Sequence, residues 1–191
     1  MMKNIFSKLL IIGVISISIV NIGCKKDDSV SSNFTFNGKN YNLDYCALDF
    51  KGLIVHIPYT TYKYELLLAT SGISYDQSTA KYTGNGSMIR LSLYSGSPLE
   101  MQTGLYTHDA FSSKDSLTVN LDSIFINHDF STGISEFKRS IKNGVIDISR
   151  SGNVFNFKFE FYAIESLFID DNKINGFYNG TLDEHDAIVA K

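Results

Sequence analysis

Gly144-Val145-Ile146-Asp147-Ile148-Ser149-Arg150-Ser151-Gly152-Asn153-Val154-Phe155-Asn156-Phe157-Lys158-Phe159-Glu160-Phe161-Tyr162 is the stretch that decides how this chain folds. From Phe155 to Phe161 a phenylalanine stands at every second position. An extended backbone gathers all four on one face, whereas a helix scatters them. Upstream, Ile146 and Ile148 alternate in the same way, and Ser151-Gly152 between the two runs predicts a two-residue hairpin turn in which glycine takes positive φ. That turn sets Ile148 opposite Phe155 and Ile146 opposite Phe157, with the apolar set on one side. Burying four phenylalanines at about 1.5–3 kcal/mol each is worth roughly 6–12 kcal/mol as an upper bound, comparable to the net stability of a domain. The hairpin is therefore core.

Outward from it the same period recurs. Phe34-Thr35-Phe36-Asn37-Gly38-Lys39-Asn40-Tyr41 places Asn-Gly between alternating runs, a strong hairpin pattern. It predicts Phe34 opposite Tyr41, with Phe36, Leu43 and Tyr45 on the same side. Further strands are expected at Leu53 to Ile57, Lys63 to Thr70, Ser87 to Tyr94, Leu117 to Ile126 and Ile174 to Leu182, separated by glycine- and asparagine-rich turns. No window of helical length carries a 3.6-residue stripe, and the best helical candidate, Ile134 to Ile141, offers Phe137, Ile141 and little else. The expected fold is all-β, an antiparallel β-sandwich or lipocalin-like β-barrel of about 8–10 strands.

The N-terminus is organised differently. Lys3 and Lys8 precede an apolar run from Leu9 to Val20, too short to span a bilayer as a mature helix and patterned as a signal peptide. Its end, Asn21-Ile22-Gly23-Cys24, resembles a bacterial lipobox, with Asn21 where leucine is usual. The resemblance makes Cys24 the lipid attachment site and the new N-terminus. An acylated cysteine anchors a protein without any membrane-spanning segment. Lys25-Lys26-Asp27-Asp28 resembles the tether of Bacteroidota lipoproteins carried to the cell surface. The expected organisation is a signal peptide over 1–23, a lipidated tether over 24–32 and a single β domain over 33–191. Removing residues 1–23 leaves 15 basic against 20 acidic residues, a net charge of −5. That mildly acidic balance argues against nucleic acid and against a polybasic membrane face. With Cys24 acylated, Cys46 is the remaining thiol, so no internal disulfide is expected. Its setting, Tyr45-Cys46-Ala47-Leu48, reads as a small buried hydrophobe.

Chemistry is sparse. His56, His108, His128 and His185 stand singly without zinc-ligand spacing, and each reads as a surface or loop residue. Two of them brought together by the fold are the remaining route to a haem site. Asp170-Asp171 and Asp183-Glu184-His185-Asp186 lack the alternating oxygens and the sixth-position glycine of a calcium loop. No nucleophile elbow, metalloprotease helix, phosphate loop or dinucleotide fingerprint occurs. The expectation is no metal, no cofactor and a non-enzymatic protein, with a hydrolase built on distant carboxylates as the third choice. Tyr59, Tyr62 and Tyr64, in Pro58-Tyr59-Thr60-Thr61-Tyr62-Lys63-Tyr64, are expected on a loop as a partner surface.

The layout resembles a broad group of Bacteroidota all-β outer-membrane lipoproteins. These open after the tether with Phe-Thr-Phe-Asn-Gly-Lys, carry a mid-chain Gly-Thr-Tyr-like strand start, and close on Ile-x-Gly-x-Tyr-x-Gly-x-Leu. Here the motifs are Phe34 to Lys39, Gly104-Leu105-Tyr106 and Ile174 to Leu182, with Leu105 in place of threonine. The resemblance implies a small β domain on the outer membrane and no activity. Asp28-Ser29-Val30, Asp115-Ser116-Leu117 and Asp122-Ser123-Ile124 resemble the O-glycosylation motif of that group, and Ser29, in the tether, is the expected site. The expected function is binding a small apolar ligand in the interior, or a protein partner along the loops. The alternative is an accessory subunit of an envelope assembly with no ligand of its own.

Overall fold

The computed structural model describes residues 31–56, 59–76, 78–79, 81–108, 116–163 and 172–185. Their regular structure is entirely strand. The strands are β1 (Asn33–Phe36), β2 (Lys39–Asn42), β3 (Tyr45–His56), β4 (Tyr59–Ala69), β5 (Ile73–Asp76), β6 (Lys81–Ser95), β7 (Gly104–His108), β8 (Thr118–Asp129), β9 (Ile134–Ser151), β10 (Val154–Ala163), β11 (Asn172–Gly180) and β12 (Asp183–His185). One path of hydrogen-bonded neighbours runs β12-β3-β4-β6-β8-β7-β9-β10-β11-β1-β2, with β8 also paired to β9 and β5 laid on β6.

The path curls into a barrel. Strands from both of its ends feed one core: Phe34 and Phe36 of β1 share it with Cys46 and Leu48 of β3, Leu66 and Leu68 of β4, and the phenylalanines of β10. After the two-residue break at Thr181-Leu182 the chain passes from β11 to β12, which hydrogen-bonds β3. A two-sheet sandwich would hold two separate ladders across its core, and here a single ladder wraps round it.

Two expectations about the sheet are corrected. The described residues form twelve strands, because β5, β7 and β12, not foreseen from the alternation, are three to five residues long and too short to show a period of two. Nor is it wholly antiparallel: β12 lies parallel to β3, and β7 parallel to β8. Six antiparallel steps from β3 to β11 leave those two strands pointing the same way, and β12 runs parallel to both.

The central hairpin forms with the expected faces and a different partner set. Phe155, Phe157, Phe159 and Phe161 are all buried with Ile146 and Ile148, but Phe157 pairs with Ile148 and Phe159 with Ile146. The turn is Gly152-Asn153, with φ +60° at Gly152. A two-residue turn that begins on glycine places positive φ where glycine carries it freely, whereas Ser151-Gly152 would demand it of serine. The shift is two residues, so every side chain keeps its face.

At the other hairpin, Phe34 pairs with Tyr41 as expected, their rings stacked at 4.8 Å. Asn37 and Gly38 both take positive φ, the geometry of the tight turn that favours Asn-Gly. Tyr45 does not join Phe34, Phe36 and Leu43. Residues 43–44 lie outside any strand, the alternation restarts at Tyr45, and Cys46 takes the inward place. Tyr45 packs instead against a smaller outer cluster built from Ala47, Leu67, Ala69, Ile73, Met88 and Phe125.

Ile134 to Ile141, the best helical candidate, is the first half of β9 and pairs with β8 from Asp129↔Ile134 to Ser123↔Ser140. Phe137 and Ile141, four apart, share a face in a strand as well as in a helix, so their spacing does not discriminate.

Two turns are built alike. Asp76 and Asp129 each accept the N–H and hydroxyl of the serine two residues on and the hydroxyl of the threonine three on. These bonds favour the charged form and hold both carboxyls below the usual 3.8. Their stabilisation is complete above the unfolded value and is lost as pH falls through the depressed folded value. Stability is therefore expected to decline below about pH 3.8 in urea titrations, and Asp76→Asn with Asp129→Asn should flatten that decline. An unchanged acid limb in the double variant would remove the assignment.

Candidate functional site

Opposite the core, the outer faces of β7, β9, β10, β11 and β1 form a hollow of about 800 Å³. Because side chains alternate along a strand, the residues between the buried ones line it: Leu105 beside Tyr106, Val145 and Asp147 around Ile146, Lys158 and Glu160 between the phenylalanines, Lys173 before Ile174, and Asn175 and Phe177 between Ile174 and Tyr178. Leu105 and Val145 are 53% and 37% exposed, a solvent-facing apolar pair on β7 and β9, while Phe177 lies across the hollow on β11 with Asp147 and Lys158 between it and Leu105. Charges stand between the two apolar sides in cross-strand positions. Lys173 Nζ donates to Glu160 Oε2 at 2.8 Å, and Asp147 lies opposite Lys158. Lys173, and after it the Tyr162 hydroxyl, holds the Glu160 carboxyl below its ordinary range, while Glu160 raises the Lys173 ammonium. Two lysines against two carboxylates leave the row without net charge.

This hollow was readable in the sequence and was missed. Val145, Leu105 and Phe177 are apolar residues on the outward phase of three strands, and those strands are near neighbours in the sheet. A single such residue is ordinary; three on one face of neighbouring strands, with paired charges between them, make an amphipathic surface.

The tyrosine platform does not form as expected. Residues 59–64 are strand, not loop. Tyr64 is 4% exposed, with its hydroxyl donating to the Ser97 carbonyl at 3.0 Å, and Tyr62 packs on the core against Phe50. Alternation in β4 turns both residues inward, so they present no partner surface. The side chain of Tyr59 lies outside the described residues.

Cys24 and Ser29 also lie outside the described residues, as do Asp170 and Asp171. Of the other two Asp-Ser-aliphatic stretches, Ser116 sits exposed on the turn before β8, whereas Ser123 is half-buried within β8 beside the fully buried Ile124.

His128 is 9% exposed rather than at the surface, its Nδ1 at 2.8 Å from the Ser135 hydroxyl and its ring against Phe130. His108 lies level with Val119, nine residues along β8 from His128. At about 3.3 Å per residue that is roughly 30 Å, too far for the two to share a haem. Among the described residues no group of three or more His, Cys, Asp or Glu is placed to hold a metal ion.

A charged cluster covers the outer face of β3, β4 and β6. Glu65 stands among Lys63, Lys51 and Arg90, and Lys51 also reaches Asp49 at 3.3 Å. Burial pushes the Glu65 carboxyl up, but the three cations outweigh it and hold it below the ordinary value. A general acid is ordinarily tuned by the opposite shift. Burial, reinforced by Asp183, pushes the Cys46 thiol well up and leaves it inert. It is expected to resist thiol reagents in the native protein and react on unfolding; fast native labelling would overturn its burial.

Comparison with family models, with curated proteins and with solved structures returns no match.

Proposed function

We propose that the chain is a lipid-anchored outer-membrane protein, facing the cell surface, whose β domain is a non-enzymatic binding module for a protein partner. The observation that carries this reading is the contrast between the inside of the barrel and its flank. The interior is filled by Phe34, Phe157, Phe161, Tyr106 and the aliphatic residues around them, each almost fully buried. The flank carries an open, neutral, amphipathic hollow. A small apolar ligand needs most of its surface enclosed. An open face on which Leu105 and Val145 at one side and Phe177 at the other flank a row of paired charges better suits side chains from another protein, which bring their own cover.

The test is an interface substitution in the native setting. A photo-crosslinking residue at Asn175, which lines the hollow, is expected to give a discrete adduct in intact cells. Leu105→Asp with Val145→Asp should weaken the complex tenfold or more, since buried apolar anchors typically carry over 1 kcal/mol each. The new carboxylates stand opposite Asp147 and Glu160, so each is expected to cost roughly 0.2–1 kcal/mol of stability, and urea denaturation of the variant separates that cost from lost binding. An adduct that survives the double substitution would reject the hollow as the site.

The accessory-subunit reading draws support from β3. Beyond Asp49, where its pairing with β12 stops, its outer edge has no strand partner among the described residues, and such an edge invites strand addition.

A further inference from the structure

We propose that residues 186–191, Asp-Ala-Ile-Val-Ala-Lys, carry β12 onward along the outer edge of β3 and cover that edge against strands from outside. Such cover needs neither the lipid anchor nor the flank hollow.

The direction of approach is set by β12. It lies parallel to β3, with Asp183 beside Ala47, Glu184 beside Leu48 and His185 beside Asp49. β3 runs on past Asp49 to His56, and among the described residues nothing pairs with its outer edge beyond Asp49. The chain leaving His185 therefore heads along unpaired backbone, with Asp186 due beside Phe50. Six residues at about 3.3 Å each reach roughly 20 Å, the length of β3 from Phe50 to Val55.

The residues that follow β12 suit the place. Ile188 and Val189 are β-branched, and neither proline nor glycine interrupts the run. Counting on from Asp186 beside Phe50 puts Val189 beside Leu53; if the run passes over the bulge at Lys51 as β4 does, Ile188 takes that position instead. Either way a branched aliphatic side chain comes to lie against Leu53, itself 52% exposed. A second observation falls at the junction. Asp49 Oδ2 takes Lys51 Nζ and the Tyr82 hydroxyl, but Oδ1 is buried with no hydrogen-bond partner among the described residues. A buried acceptor without a donor calls for a neighbour, and the chain continuing from β12 arrives at that point.

A bare strand edge is a template for pairing with other chains, and covering it removes the template. A partner strand then reaches β3 only by displacing residues 186–191.

Paired cysteines in the full chain test the register. Leu53→Cys is combined in turn with Ile188→Cys and Val189→Cys, and with Val145→Cys on the flank as the control; adjacent strands bring Cα atoms within disulfide range. Cys46 is buried and takes no part. Mild oxidation is expected to give an intramolecular disulfide from 53 to 188 or 189, located by peptide mapping and absent from the control. Amide exchange reads the same edge without added cysteines. Ending the chain after His185 is expected to speed exchange tenfold or more within residues 50–55, while Leu66 to Leu68, paired on both sides, stay unchanged. No disulfide to either position overturns the proposal, as does one that joins two molecules. An edge that exchanges alike with and without residues 186–191, whether slowly or fast, overturns it too.

Discussion

Phe157→Ala is expected to lower the unfolding free energy by about 3–5 kcal/mol, the range for emptying a fully buried aromatic site. Phe157 is 0% exposed and sits opposite Ile148 on one side and Tyr178 on the other. Its ring is 6.0 Å from that of Phe155 and 5.8 Å from that of Tyr178, so truncation breaks two stacked contacts as well as removing buried area. Little can move in to fill the space, because the neighbouring inward positions on β11 are Gly176 and Gly180. A loss of this size is a large share of what a domain of this length holds in reserve. Lys158→Ala, one residue on and facing the hollow, should stay within about 0.5 kcal/mol. Urea denaturation with an unchanged slope measures both. A loss below about 1 kcal/mol for Phe157→Ala would mean that the barrel interior is not the cooperative core.

What the sequence reveals about this fold divides by length scale. Period-two alternation exposes β10, β8 and most of β6, because each presents several apolar residues in phase. It exposes which face is inside even where the register is off by two, since faces survive a shift that partners do not. It does not expose β7 or β12, whose few residues carry too little pattern and whose parallel pairing is decided by strands far away in the chain. The Tyr59–Tyr64 stretch misleads because tyrosine is equally at home at a surface and in a core that can take its hydroxyl; Tyr64 finds the Ser97 carbonyl, a partner 33 residues distant. The hollow needs two levels at once: the outward phase of Val145, Leu105 and Phe177 is visible in the chain, but their place on one face, with paired charges between them, exists only once β7, β9, β10 and β11 are side by side.

The other large effect is expected from a single methyl group. Gly144 has φ +147°, a backbone that side-chain-bearing residues rarely adopt, and a Cβ built there would meet the Glu160 carbonyl oxygen and the Cδ1 and Cα atoms of Phe161 at 2.3, 2.6 and 2.8 Å. Two of these are backbone atoms, so no rotamer change relieves the clash. The position matters because β9 changes partners around it: residues 134–140 pair with β8 and 145–148 with β7, while 141–151 pair with β10 on the other edge. A strand that leaves one neighbour and joins two others must coil sharply, and a glycine absorbs that coil. Phe161, directly opposite, lays its ring over the bare Cα. Gly144→Ala combines backbone strain of about 1–3 kcal/mol with overpacking of about 1–3 kcal/mol, and should destabilise by roughly 2–5 kcal/mol. Gly133→Ala provides the comparison: its φ is +71°, but nothing lies within 4 Å of the added carbon, so it should carry only the strain, about 1 kcal/mol. If the two substitutions cost the same, the close approach at Gly144 is not what shapes β9, and its passage from β8 to β7 must be held by the bulge at Tyr162/Ala163 instead.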